Sequence, residues 1–176
     1  TERDKRDLQY AIQVMQSELG GGSDEDEDWG IGLDPEMLDE LVNSEATTGL
    51  PDLTKNLVAK MEDGRIKLFL TYKALNYRKK MRELFERGEY LQLEVAGGYT
   101  PHVCAFARRL GNATAVVAAP RFLTGIAPYP DTLPLGKEVW GNAAVILPFD
   151  DAGVRYTNIF TGEVITTARS KGATVL

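Results

Sequence analysis

One cysteine, one histidine and no long apolar run set the first limits on this 176-residue chain. A lone Cys104 forms no internal disulfide, which fits a reducing compartment. No apolar stretch approaches the roughly 18 residues of a membrane span. The opening "TERDKRDLQY" is charged and lacks the apolar core of a signal peptide. The expectation is a cytoplasmic protein without a membrane partner. The absence of Met at residue 1 suggests a piece of a longer chain. A phosphate-cradling loop is missing as well: "GGGSDED" lacks the Lys-Ser/Thr ending and would repel phosphate.

His102 is the one histidine, and Cys104 lies two residues away, so the two are a candidate nucleophile–base pair. Residues i and i+2 share a face of a strand, so the spacing permits it. Such a pair also needs an orienting group and an oxyanion hole, and neither has a local signature here. Cys104 therefore reads as a small apolar strand residue.

Charge is unevenly spread. Residues 1–88 carry 13 Lys+Arg against 19 Asp+Glu, whereas residues 89–176 carry 7 of each. Within the first half, residues 65–87 hold 8 basic and 2 acidic side chains. A basic helix beside so many acids argues against nucleic acid, whose phosphates want an uninterrupted basic face. Its expected neighbours are acidic segments of this chain or of an adjoining domain. The "DEDED" run invites a calcium reading. A loop starting at Asp24 would need Gly at its sixth position and Glu at its twelfth, and has Trp29 and Pro35. It reads as a solvated acidic loop, with no metal and no cofactor.

What is present divides by period. Leu8, Ile12, Met15 and Leu19 give one helical stripe. "GGGSDEDEDWG", residues 20–30, then interrupts it. "LDPEMLDELVNS" reopens a helix, with Asp34 as N-cap and Pro35 in its first turn. A short helix is expected near 53–61. The strongest helix spans 65–87, capped by Asp63 and closed by a left-handed Gly88. Its expected buried stripe is Ile66, Phe69/Leu70, Ala74, Tyr77, Met81 and Leu84/Phe85. After Gly88 the period becomes two: Leu91, Leu93 and Val95 alternate with Tyr90, Gln92 and Glu94.

Further strands are read at "HVCAFARR", "ATAVVAAPRF", "KEVWGNAAVILPF", "VRYTNIF" and "EVITTA". "ATAVVAAPRF" fits a central strand, "TG" at 161–162 a tight hairpin turn, and "ATVL" an edge. The fold class is α+β: residues 1–88 helical, residues 89–176 an antiparallel sandwich or barrel.

Glycosidic chemistry needs two carboxylates a set distance apart. Asp131, Asp150, Asp151 and Glu163 all fall in loops or turns, and form no recognisable pair. Asp150-Asp151-Ala-Gly is turn chemistry. Trp29, Tyr99, Tyr129 and Trp140 lie in or near loops, where aromatic faces can stack on sugar rings. Ordinary packing is the simpler account, above all for Trp140 inside a strand pattern. Asn112-Ala113-Thr114 matches a glycosylation site, by chance in a chain without a secretory signal.

The series "DGRIKLFLTYKALNYRKK", "LFERGEYLQLEV", "HVCAFARR", "AVVAAPRF", "LPLGKEVWGNAAVILP" and "NIFTGE" resembles the C-terminal end of the maltooligosyl trehalose synthases, a branch of the alpha-amylase family of glycoside hydrolases. The likeness runs from Asp63 onward, about two-thirds of the chain. The helix–Gly–Glu–Tyr junction is common to the wider family, and "DGRIK" with the "PRF…W…LP…TGE" series narrows it. The resemblance implies the last helices of a TIM-type barrel at 1–88 and a C-terminal β-sandwich at 89–176. It implies a parent that rearranges the reducing-end α-1,4 linkage of a maltooligosaccharide to α,α-1,1, by intramolecular transglycosylation with retention. The acids for that chemistry would come from barrel strands upstream, so no catalytic residue carries over. The implied partners are the missing barrel and, through it, a maltooligosaccharide.

Overall fold

The computed structural model describes residues 35–126, 133–150 and 152–176. The helix expected at 2–19, the acidic loop 20–30 and the Asp34 cap lie outside them. Contacts divide the chain into two units, Thr1–Phe69 and Leu70–Leu176. The division falls inside a helix, so the last helical turns before Gly88 group with the sheets.

In the first unit, helix α1 (Pro35–Thr48) buries Leu38 and Leu41, and α2 (Leu50–Ala59) buries Leu53 and Leu57. These spacings of three and four are the apolar stripe of a surface helix. The two helices abut at Gly49, whose φ of 78° and ψ of 162° belong to a region only glycine occupies cheaply. Gly49 N–H closes α1 on Glu45 O, and Gly49 O opens α2 by accepting from Leu53 N–H. Helix α3 (Arg65–Lys80) follows a 3-10 turn at Met61–Asp63. Asp63 Oδ1 accepts the Arg65 N–H at 2.9 Å, the cap expected for this helix.

The single helix expected over 65–87 is two. α3 ends at Lys80, Met81 departs from helical dihedrals (φ −104°, ψ 35°), and α4 spans Arg82–Arg87. The break falls in a run of cations, Arg78, Lys79, Lys80 and Arg82. Arg78 and Arg82 stand one turn apart, where like charges disfavour helix. The buried stripe also differs from expectation. Leu68 and Phe69 are buried, whereas Leu70 and Ala74 are exposed.

Gly88 does not take the left-handed position; its φ of −65° and ψ of 150° are extended. Close approach makes the residue glycine instead. A Cβ here would lie 2.3 Å from Leu84 O and 3.0 Å from Arg109 O. Helix α4 and strand β3 (Val103–Leu110) thus meet with no room for a side chain between them. Arg108 of β3 reaches back to donate from Nη2 to Phe85 O in the last turn of α4.

Strand β1 (Glu89–Gln92) pairs antiparallel with β3, and β3 pairs along its whole length with β4 (Ala113–Pro120). After Leu93, which still donates to Ala105 O, the chain crosses to a second sheet as β2 (Glu94–Ala96). There β2 pairs with β5 (Ala144–Leu147), which pairs with β9 (Ala173–Val175), which pairs with β8 (Ala168–Ser170). Strands β6 (Arg155–Thr157) and β7 (Val164–Thr166) form a separate ladder. One cluster of apolar residues draws on the first two sheets: Leu93, Val95, Ala105, Ala107 and Leu147 are buried. Ala107, fully buried, sits between Leu91 and Val116 on the inward row. The predicted alternation holds here, with Leu93 and Val95 buried and Tyr90, Gln92 and Glu94 exposed. The chain is α+β with antiparallel sheets, as expected.

Five readings in the sheet region are corrected. "KEVWG" is not strand: Gly136–Trp140 forms a short helix, α5, before β5 begins. Strand β4 lies at a sheet edge instead of its centre, and β9 lies inside its sheet instead of at the edge. The hairpin between β6 and β7 has no two-residue turn. Asn158 Oδ1 accepts from the N–H of Phe160 at 2.9 Å and of Thr161 at 3.4 Å, and so organises a longer loop. "EVITTA" breaks at buried Thr167, which binds Val154 through N–H and hydroxyl alike, separating β7 from β8.

Among the described residues no helix is long and apolar enough to cross a membrane. Gly88→Ala is expected to cost about 1–3 kcal/mol, the range for forcing atoms into a packed site. Urea denaturation measures it, and an unchanged midpoint would show that the contact relaxes freely.

Candidate functional site

Three loops meet at the end of the first sheet where β3 begins and β4 ends. They are residues 97–102, 121–126 and 133–143. Gly97 lies against Asn142 and Ala143, since a Cβ there would stand 2.8 Å from Asn142 O. Tyr99 and Trp140 pack with ring centroids 5.6 Å apart and planes at 50°. Their polar ends are both used: Tyr99 Oη donates to Val139 O, and Trp140 Nε1 to Pro134 O, each at 2.8 Å. The rings therefore face each other and tie the loops together; they do not present one flat platform.

On the other side of the cluster, Arg121 N–H donates to His102 O at 2.8 Å, and Arg121 Nε to Pro101 O at 2.9 Å. The Arg121 guanidinium lies 5.1 Å from the centroid of the Phe122 ring. Phe122 itself is 66 % exposed and holds φ at 53°, the left-handed region that a bulky residue seldom enters. His102 Nδ1 lies 3.2 Å from Phe122 O, so the ring contacts the strained peptide directly. Strain of this kind persists only where surrounding bonds over-determine it.

The sequence candidates separate in space. His102 belongs to a 3-10 turn at Thr100–His102, not to the strand, so the shared-face argument for Cys104 fails. Its ring engages Phe122 O, and Cys104 stands exposed at the start of β3. The thiol is not the packed residue expected from its apolar neighbours. Asp150 lies by Arg169, with a 2.5 Å contact between Oδ1 and Nη2, both exposed. Glu163 is an exposed residue of the loop before β7. Asp131, Asp151, Trp29 and Tyr129 fall outside the described residues. Among the described residues no group of three His, Cys, Asp or Glu side chains could hold a metal ion.

The sequence reading put Arg121 and Phe122 at the end of a strand and in the "PRF" motif, not in a candidate site. The strand stops at Pro120, and the exposure of Phe122 and its positive φ have no signal in the sequence. The cluster offers aromatic faces, one guanidinium and backbone carbonyls. These are the elements of a binding surface, and no nucleophile–base pair accompanies them.

Comparison with protein-family models, with curated proteins and with solved structures finds no match for the chain.

The exposed Cys104 is expected to react stoichiometrically with a thiol reagent in the native protein. Labelling that required denaturant would contradict its exposure. Tyr99→Phe removes one hydrogen bond and is expected to lower stability by about 1 kcal/mol, read from thermal or urea unfolding.

Proposed function

We propose that this chain is a non-catalytic C-terminal piece of a maltooligosyl trehalose synthase. In this reading residues 1–88 supply the last helices of a catalytic barrel, and residues 89–176 a β-sandwich docked at its end. The parent converts the reducing-end α-1,4 linkage of a maltooligosaccharide to an α,α-1,1 linkage, with retention. Both carboxylates of that reaction, nucleophile and general acid, reside upstream of this chain.

The observation that carries the reading is the ordered motif series from "DGRIKLFLTYKALNYRKK" to "NIFTGE". The geometry of Gly88 supports it: helix, extended glycine and first strand follow without a linker. The antiparallel pairing of every described strand is what a C-terminal sandwich requires. A sandwich at the barrel's end covers apolar surface the barrel would otherwise expose.

A carbohydrate-binding accessory module is the second reading, favoured by exposed Phe122 beside Arg121. Migration through a gel containing amylose separates the two. Unretarded migration fits the first reading; retardation abolished by Phe122→Ala favours the second. Incubated alone with maltohexaose, the chain is expected to form no non-reducing product, and formation of one would overturn the non-catalytic assignment. The decisive observation on the parent is the upstream reading frame. Barrel motifs carrying the acid pair should run into Thr1; a frame without them rejects the assignment.

A further inference from the structure

Strand β4 has the composition of a covered strand and the position of an open one. Ala113–Pro120 pairs with β3 on one side, and among the described residues no strand pairs with the other. An antiparallel strand sends alternate N–H and C=O groups to each side, so about half of its backbone polar groups face outward. Such edges are normally blunted by shortness, charge, proline or a bulge. The other sheet edges of this chain follow that rule. β1 has four residues and carries Glu89; β2 and β8 have three each and carry Glu94 and Arg169. β4 has eight residues and no charge, and its one proline is the last residue. Its register with β3 runs from Val103↔Pro120 to Leu110↔Ala113 without a slip, so no bulge bends it away.

We propose that β4 pairs antiparallel with β4 of a second copy of this chain about a two-fold axis. The occupant follows from the strand's own chemistry. Two-fold pairing brings each strand against its own sequence, which penalises any edge carrying charge. An edge built of alanine, valine and one threonine meets itself without repulsion, and its small side chains let the backbones close to ladder distance. The same pairing satisfies the outward N–H and C=O groups of both copies at once, and it closes the edge so that growth stops at two. The outer face gains as well. Tyr90 is exposed and stacks on Phe106 at 5.2 Å, and Phe106 lies opposite Val117 of β4. Crossing the axis joins this row to its symmetry mate and covers the open flank of Val117. A charged or bulky foreign strand would find no complement on this edge.

Sedimentation velocity across a wide concentration range tests the proposal. The intact chain is expected to show twice the chain mass at high concentration and the single mass on dilution. Ala119→Lys places a cation on the exposed outer end of β4 and is expected to give the single mass throughout, with the thermal midpoint that the unmodified chain shows when diluted to the single mass. Gln92→Lys, on the opposite edge of the same sheet, is expected to leave the dimer intact. Hydrogen exchange of the unmodified chain supplies a readout that needs no variant: β4 amides should exchange faster on dilution while those of β3 do not. A single mass at every concentration, a dimer that survives Ala119→Lys, a dimer lost in Gln92→Lys, or β4 exchange indifferent to dilution would each overturn it.

Discussion

The sheet-bearing unit depends on how one short helix is held against one strand. Arg108 donates to the carbonyl of Phe85, in the last turn of α4, where the helix leaves its carbonyls unpaired. A cation at that end also meets the negative pole of the helix. Gly88 lets Arg109 O and Leu84 O approach to a distance that any Cβ would prevent. The two contacts act on adjacent residues of β3, so the strand's position relative to α4 is set at two points. Arg108 Nε is buried without a hydrogen-bond partner among the described residues. An unmade buried bond costs about 1–3 kcal/mol. The arginine is therefore placed by reach and planarity, which a lysine would not reproduce.

From that seam the rest follows outward. β3 is the strand both neighbours of its sheet pair with, and Ala105 and Ala107 form the inner floor of the core. Small residues there let Leu93 and Val95 close over them. Leu93 is the point where the chain leaves the first sheet for the second, keeping one hydrogen bond to Ala105 O as it does so. A strand that changes sheets while keeping its alternation buries the same face throughout. One run, residues 89–96, thereby serves both sheets.

The legible parts of the sequence were those where local chemistry and tertiary packing agree. The change of period at Gly88, the alternation through Val95, the Asp63 cap and the long β3–β4 hairpin are of this kind. The misread parts were decided by contacts that apolar periodicity does not register, some local and some long-range. "KEVWG" has strand composition, yet Trp140 Nε1 bonds Pro134 O and its ring meets Tyr99, which favours a compact turn. Gly88 was expected to be left-handed, and a carbonyl two strands away in sequence sets its role instead. The break at Met81 lies in a cation run whose periodicity alone reads as continuous helix. The sheet-end cluster was legible only as scattered aromatics. The exposure of Phe122 and its contact with Arg121 belong to no sequence period.

The distribution of reactive groups sharpens what such a chain can do. Its one histidine contacts Phe122 O in a loop, and its one cysteine stands exposed at the start of β3. Asp150, the described carboxylate nearest a cation by short contact, faces solvent with Arg169. Exposed ion pairs of this kind contribute little to stability and lack the water-excluded setting that makes charge effective in catalysis. Several side chains bond the backbone instead: Arg108 donates to Phe85 O, Tyr99 to Val139 O and Trp140 to Pro134 O, and the Thr167 hydroxyl accepts from Val154 N–H. These bonds hold the helix end and the loops in place, and those of Arg108, Tyr99 and Thr167 each join segments that are separate in sequence.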